Sequence, residues 1–259
     1  STVLRDISGY TLSIKNAHSN VSPFTIFGAH LKASDTQDDS DQRWLEAKEL
    51  YKYISQMDSN YHYIMAGDFN VYGSDEPAYK LLVDSMSVDL EDPIGHWVRN
   101  ESAHVEKFTQ STRTAQLNDG GASGGLDDRF DFILFSDHFT SKDPDIKYLE
   151  GSYKVIGNDG NHFNQSIVDG GNSAVPDSIA EAIYLASDHY PVVAKVVFTS
   201  KSSTSPVAHA GGDMMVAIGD TITLDGSKSY DPNGSIISYN WNQSSGPAVI
   251  IQDSTATIA

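Results

Sequence analysis

A run of serine and threonine from Thr199 to Pro206 divides the sequence into two parts with different hydrophobic patterns. Before it, apolar segments typical of strands alternate with amphipathic segments typical of helices, whereas after it only short strand-like segments occur. Polar stretches of this kind are common in flexible linkers. We therefore predict a mixed α/β (α+β) domain over residues 1–198, a linker over 199–206 and a small all-β domain over 207–259.

The first part contains four apolar segments that favour strands. They are PFTIFGAHL (Pro23–Leu31), YHYIMA (Tyr61–Ala66), RFDFILF (Arg129–Phe135) and PVVAKVVF (Pro191–Phe198). The first is apolar enough to be a buried strand, and the last is expected to be the final strand before the linker.

Two helices are expected from periodicity and end signals. The longer, Asp38–Met57, has an acidic start that suits a helix N-terminus and an apolar stripe with helical spacing. The shorter follows a cap at Ser74 or Asp75, with Pro77 in its first turn. The stripe is interpreted as core packing, and its members are Trp44, Ala47, Leu50, Tyr51, Ile54 and Met57.

Composition excludes several classes of function. The 17 Lys and Arg residues against 35 Asp and Glu residues give a net charge of −18, which argues against binding a polyanion through a broad basic face. The chain has no cysteine, so thiol chemistry, disulfides and cysteine-type zinc sites are excluded. No apolar run is long enough for a transmembrane helix.

Side chains that handle protons or metals recur on or at the ends of predicted strands. They lie in AHL at His30, in GDFN at Asp68, in FDFI at Asp131 and in SDHYP at Asp188 and His189. An unpaired carboxylate on an apolar strand such as that of Asp131 is unfavourable. Converging carboxylates repel by about 4 kcal/mol at 4 Å in an effective dielectric of 20, and a bound Mg²⁺, Mn²⁺ or Ca²⁺ would relieve this repulsion.

Together these segments resemble the endonuclease/exonuclease/phosphatase superfamily, which includes DNase I, over about residues 10–198. The combination of GDFN, an aspartate on an apolar strand and SDHYPV carries the resemblance. It implies the second half of a four-layer αββα sandwich. It also implies a divalent-metal-dependent phosphodiesterase, with a nuclease as the first expectation. The implied location is outside a bacterial cell or on its surface.

The resemblance also implies roles for the residues before and within GDFN. Asp68 would orient or deprotonate the attacking water, and Asn70 would donate a hydrogen bond to the phosphate. His30 would lie against the scissile phosphate.

The later motifs complete the implied site. His189 would contact the phosphate or transfer a proton, with Asp131 fixing the orientation of its ring. Asp188 would hold the metal together with Asp68, and that metal is expected to be Mg²⁺, Mn²⁺ or Ca²⁺.

A polar segment, Gly157–Asn164, resembles one found in secreted bacterial members of the superfamily. Its His162 is expected either to contact substrate or to serve ordinary loop structure, and both interpretations stay open.

The part after the linker resembles a PKD-type immunoglobulin-like module. Strands are expected at Asp220–Leu224 and Ile236–Trp241, separated by a turn at Tyr230–Gly234. The resemblance implies a partial β-sandwich over 207–259. Asp225 and Asp231 are expected to form turns rather than a Ca²⁺ site.

The sequence departs from the superfamily pattern in its first half. The family supplies an asparagine on an opening strand and a metal-binding glutamate on a later strand, and neither strand is recognised in the 29 residues upstream of His30, which contain no glutamate. We therefore expect a fragment that is weakly active or inactive alone. An uncovered sheet face would pair with the missing N-terminal half or with another chain.

Two alternatives to a nuclease stay open. One is a secreted phospholipid or sphingomyelin phosphodiesterase, or a phosphatase. The other is a non-catalytic cell-surface module in which the PKD-like segment does the binding.

Overall fold

The computed structural model describes residues 5–13, 23–57, 61–84, 90–142, 146–198, 205–232 and 235–259. These residues fall into two compact units, a larger one that ends at 198 and a smaller one that begins at 205. Most of the predicted linker, 199–204, lies outside the described residues.

The larger unit is built on a five-stranded mixed sheet with the strand order β1-β2-β3-β5-β4. The strands are β1 (Ser8–Leu12), β2 (Phe24–His30), β3 (His62–Asp68), β4 (Leu90–Glu91) and β5 (Asp131–Ser136).

Strand pairing brings three of the predicted site residues to one end of this sheet. β2 and β3 are parallel, so that His30 lies opposite Asp68. β3 and β5 are antiparallel, so that Asp68 lies opposite Asp131. The predicted strands at Pro23, Tyr61 and Arg129 are therefore present, each with ends shifted by one or two residues.

Two small antiparallel sheets complete the β structure, one from β6 (Ile146–Tyr148) and β9 (Val196–Phe198), the other from β7 (Lys154–Val155) and β8 (Val192–Val193). The prediction of one continuous strand over Pro191–Phe198 is therefore wrong. The strand is interrupted because the backbone N–H of Lys195 donates to Ser152 Oγ at 2.9 Å and leaves the ladder.

The first helix, α1 (Gln37–Ile54), begins after Thr36, whose Oγ1 accepts a hydrogen bond from the backbone N–H of Asp39. Ala47, Leu50 and Ile54 are buried as the apolar stripe predicts, but Trp44 and Tyr51 are only half-buried. Two polar members of the inner face are also buried: Arg43, which pairs with Glu76, and Glu46.

The other helices are α2 (Pro77–Val83) and α3 (Asp177–Ala186), with a 3₁₀ helix at Ser102–Lys107 and a π-helical turn at His138–Lys142. The predicted cap of α2 is wrong, because Glu76 occupies the N-cap position without a side-chain hydrogen bond. Ser74 is instead used elsewhere: its Oγ donates to the carbonyl of Trp97 at 2.8 Å. No signal in the sequence analysis predicted α3.

A buried ion pair lies inside the aromatic core beside the sheet. Arg129 is completely buried, and its Nη1 and Nη2 donate to the two carboxylate oxygens of Asp92 at 2.7 and 2.8 Å. The Arg129 guanidinium lies over the rings of Phe132 at 4.3 Å and Trp97 at 5.0 Å. Tyr79 Oη also donates to Asp92.

The smaller unit departs from its prediction. Within 205–232 and 235–259 the pairing is limited to isolated bridges, Val207 with Tyr230 and Asp225 with Ile258, and no regular strand forms. The expected strands therefore lack a ladder there, and apolar side chains such as Ile237 stay exposed. Asp225 Oδ1 accepts from the backbone N–H of Ser227, which is the turn role expected for it.

Among the helices that the structure describes, none has the length and apolar character needed to cross a bilayer.

Candidate active site

Three carboxylates surround the ring of His189. Its Nδ1 lies 2.7 Å from Asp131 Oδ2, while its Nε2 lies 3.9 Å from both Asp68 Oδ2 and Asp188 Oδ2. All four side chains are only partly exposed, between 17 and 21%. Because the carboxylate of Asp131 accepts a hydrogen bond from Nδ1–H, a neutral His189 presents the Nε2 lone pair to the remaining site.

Close approach of two strands fixes Asp68. Gly67 has φ +141°, and a Cβ at this position would lie 1.9 Å from the carbonyl oxygen of Ala29. Glycine is therefore required there. The chain then turns, and Asp68 Oδ1 accepts a hydrogen bond from the backbone N–H of Asn70 at 2.9 Å.

A segment that the sequence analysis did not single out, residues 109–112, lies between the strand of Asp131 and the SDHYP motif and is bonded to both. The backbone N–H of Thr112 donates to the carbonyl of Asp188 at 3.0 Å, and that of Tyr190 donates to the carbonyl of Thr109 at 2.7 Å. The Thr109 hydroxyl accepts from the backbone N–H of Asp131 at 3.1 Å. This segment therefore holds Asp131 and His189 at bonding distance.

Gln110, from the same segment, has its side chain in the site. Its Nε2 lies 2.7 Å from His189 Nε2 and 3.2 Å from Asp188 Oδ2. A lone glutamine outside any motif gives no sequence signal, so only the fold could reveal it. Asp188 Oδ2 also accepts a hydrogen bond from the backbone N–H of Ala122 at 2.7 Å.

The environment shifts the pKa values of two residues in the cluster. Burial raises the pKa of Asp68, and the nearby negative charge of Asp131 acts in the same direction, against the lowering effect of His189 and His30. Burial lowers the pKa of His189, but the hydrogen bond and charge of Asp131, with the charges of Asp68 and Asp188, raise it overall. His189 therefore stays cationic to a higher pH than free imidazole.

This raised pKa predicts a pH-dependent stability. The contribution of His189 is fully present below the unfolded value of about 6.5 and is lost as the pH rises through the higher folded value. We expect the free energy of unfolding to fall between pH 6 and pH 9 by more in the wild type than in Asp131→Asn. Urea unfolding at several pH values measures this, and equal pH dependence in both proteins would contradict it.

His30 and Asn70 both lie beside Asp68, but in different environments. His30 Nε2 is 3.3 Å from Asp68 Oδ2, and its side chain is 52% exposed, which suits the predicted contact with a phosphate. The Asn70 side chain is buried, and its Nδ2 donates to the carbonyl of Leu31 at 3.1 Å. One of the two N–H groups of the Asn70 amide is therefore used within the fold, and the predicted hydrogen bond to a phosphate would need the other.

Replacing Asn70 by alanine should destabilise the protein. The change removes a buried hydrogen bond at a residue whose φ is +48°, so we expect a loss of about 2 kcal/mol in the free energy of unfolding. Asn164→Ala is the matched control, because Asn164 has φ +54° but an exposed side chain. Urea unfolding in which the two variants lose the same free energy would contradict a structural role for the Asn70 amide.

His162 is bound within its own loop. Its ring is buried, with Nδ1 2.7 Å from Asp159 Oδ1 and Nε2 2.8 Å from the carbonyl oxygen of Asp169. Burial raises the pKa of Asp159, but hydrogen bonds from Ser173, Asn161 and His162 outweigh this and lower it overall. Both ring nitrogens of His162 are engaged, so the geometry favours the loop interpretation over substrate contact.

The two predicted metal ligands, Asp68 and Asp188, both lie at the candidate site. Asp188 Oδ2 already accepts hydrogen bonds from Ala122 and Gln110. In the part of the chain that the structure describes, no three or more His, Cys, Asp or Glu side chains are grouped so that they could hold an ion. Mg²⁺ is usually held by one or two carboxylates together with waters and substrate phosphate oxygens, so Asp68 and Asp188 would supply only part of its six oxygen ligands.

Comparison with known proteins gives one family match. Residues 210–259 match the family described as K319L-like, PKD domain, in agreement with the predicted resemblance of this segment. No curated protein matches the chain.

Among solved structures, the chain is similar to the human Nocturnin catalytic domain with bound sulfate anion (17% identity, TM-score 0.39, 74% of this chain and 52% of that one). It is also similar to D. rerio TDP2 complexed with single strand DNA product (14%, 0.39, 68% and 56%). A third is an endonuclease/exonuclease/phosphatase family protein from Bacteroides thetaiotaomicron (16%, 0.35, 76% and 64%). The chain thus spans about half of the length of the first two.

Proposed function

We propose that the larger unit is a phosphoric ester hydrolase that cleaves phosphodiesters, with nucleic acid as its substrate class. The observation that carries the proposal is the Asp131–His189 pair, whose Nε2 faces Asp68 and Asp188. Hydrolysis of a phosphodiester needs an activated water, a proton donor for the leaving oxygen and neutralisation of the phosphoryl charge. This cluster offers groups for the first two.

The residues divide these tasks according to their environments. Asp68, at the end of β3, accepts a hydrogen bond from the water and orients or deprotonates it. His189, oriented by Asp131, donates to a phosphoryl oxygen or transfers a proton through Nε2. His30, more exposed, lies where it can donate to a second phosphoryl oxygen.

We also propose that the site binds a divalent cation, which would be Mg²⁺, Mn²⁺ or Ca²⁺. The acidic cluster favours one electrostatically, but Asp68 and Asp188 would need further ligands from water, substrate or another part of the protein. When bound, it would neutralise charge on the phosphoryl group, the third requirement above, and the experiment below measures its effect directly.

The proposed setting rests on the resemblance. We propose a secreted or cell-surface bacterial protein whose larger unit pairs with a further segment or a second chain. A phospholipid or sphingomyelin phosphodiesterase, or a phosphatase, is the alternative enzyme. The PKD match at 210–259 favours a second function, binding at a cell surface, which requires no catalysis.

Hydrolysis by the purified chain tests the proposal. With the protein in excess, bis(p-nitrophenyl) phosphate, a labelled DNA oligonucleotide, RNA and sphingomyelin are each incubated with Mg²⁺ and with EDTA. We expect slow cleavage of the diesters with Mg²⁺ and less with EDTA. Cleavage of sphingomyelin alone would support the alternative enzyme, and no cleavage of any substrate would count against catalysis by this chain.

A further inference from the structure

The side-chain amide of Gln110 lies in the centre of the candidate site. Its Nε2 is 2.7 Å from His189 Nε2 and 3.2 Å from Asp188 Oδ2. It thus contacts both site residues of the SDHYP motif, Asp188 and His189, although it comes from a different part of the chain.

The chemistry of the neighbours fixes which end of the amide faces them. Asp188 Oδ2 accepts hydrogen bonds, and so does the Nε2 of a neutral His189, whose Nδ1–H donates to Asp131. Only the NH₂ end of Gln110 satisfies both, since its carbonyl oxygen would repel the carboxylate. The two N–H donors therefore point into the acidic cluster.

The backbone holds this side chain in place. The N–H of Gln110 donates to the carbonyl of Asp128 at 3.0 Å, and its carbonyl accepts from the N–H groups of Asp127 and Asp128. Gln110 also forms a bridge with His189. The amide is therefore fixed on backbone that is bonded on both sides, which is the kind of support that a precise donor needs.

The site has a surplus of acceptors. Asp68, Asp131 and Asp188 bring three carboxylates to one imidazole. A phosphate brings further acceptor oxygens, so N–H donors decide whether it binds there. The donor that the sequence resemblance implies, Asn70, is buried and uses one of its two N–H groups on the carbonyl of Leu31. Gln110 is half-buried and faces the site.

We propose that Gln110 is a further amide that donates to the substrate phosphate, beside the donor that the sequence motif assigns to Asn70. In the free protein its N–H groups bond His189 Nε2 and Asp188. When a phosphoryl oxygen enters beside His189, the N–H that faced Nε2 donates to that oxygen instead. The inference rests on the proposed function for the identity of the ligand, but its test needs no turnover.

The test is a titration of the whole chain with inorganic phosphate, with and without Mg²⁺, in which NMR monitors binding. Gln110→Leu keeps similar bulk and removes both donors, and Gln110→Asn keeps an amide on a shorter side chain. Gln56→Leu is the matched control, since Gln56 is exposed beyond the end of α1. We expect Gln110→Leu to raise the dissociation constant about tenfold, Gln110→Asn to have a smaller effect and Gln56→Leu to have none.

A second readout uses the wild type alone, so that the proposal is tested even if Gln110→Leu fails to fold. Phosphate should shift the side-chain NH₂ signals of Gln110 together with the ring signals of His189.

Three results would overturn the assignment. They are an unchanged dissociation constant in folded Gln110→Leu, Gln110 signals that do not move while those of Asn70 do, and no phosphate binding to the wild type in either condition. Absence of hydrolysis with normal phosphate binding would instead count against the proposed function and leave the role of Gln110 supported.

Discussion

Replacing His189 by alanine should lower the rate of bis(p-nitrophenyl) phosphate hydrolysis by about 10²–10⁴-fold, the range for loss of a positioned acid or base. The ring is the centre of the cluster, with Asp131 at 2.7 Å on one side and two further carboxylates at 3.9 Å on the other. No other imidazole is placed between these carboxylates in the described residues except His30 at the edge of Asp68. The rate is measured in single turnover with excess protein, because we expect this chain to be a slow enzyme.

His209→Ala is the matched control for this experiment. His209 lies in the smaller unit and is exposed, so its loss should leave the rate unchanged. Thermal unfolding of both variants separates chemistry from folding. If His189→Ala retained the wild-type rate, or if its rate loss matched its loss of folded protein, His189 would have no catalytic role.

Replacing Arg129 by methionine should be among the most destabilising single changes in the larger unit. The guanidinium is completely buried and bonded to both carboxylate oxygens of Asp92. Its removal leaves the buried Asp92 carboxylate without its cation, which we expect to cost about 3–5 kcal/mol in the free energy of unfolding. Urea unfolding provides the measurement.

Two further variants show whether the unpaired charge is responsible. Lys52→Met makes the same change at an exposed pair with Glu49 and should cost less than about 0.5 kcal/mol. Asp92→Asn combined with Arg129→Met removes the orphaned charge but keeps an acceptor for Tyr79, and should recover part of the loss. A loss in Arg129→Met no larger than that in Lys52→Met would show that the pair does not stabilise the core.

The sheet and the centre of the site were predictable because local pattern and tertiary structure agree there. The apolar segments around His30, Asp68 and Asp131 are strands, and their pairing brings these three residues to the same end of the sheet. A carboxylate on an apolar strand needs a partner, and Asp131 has one in His189. An acidic residue on an otherwise apolar strand therefore predicts a contact with a distant part of the chain.

Features that depend on contacts between distant segments were not predictable. Lys195 leaves its ladder for a serine hydroxyl, so one predicted strand became two. Gln110 enters the site through the pairing of its backbone with Asp128, and nothing in its neighbouring sequence indicates this. The smaller unit has the alternating pattern of strands, but alternation alone does not supply the neighbouring strand that a ladder needs.

All of the proposed chemistry requires that a phosphodiester binds where Asp68, Asp131, Asp188 and His189 meet. The most direct test is an NMR titration of the chain with a phosphorothioate-linked thymidine dinucleotide, a slowly hydrolysed phosphodiester, while the histidine ring signals are followed. We expect shifts at His189 and His30 and none at His209. A dinucleotide that binds without moving the His189 signals, or that moves those of all three histidines equally, would contradict it.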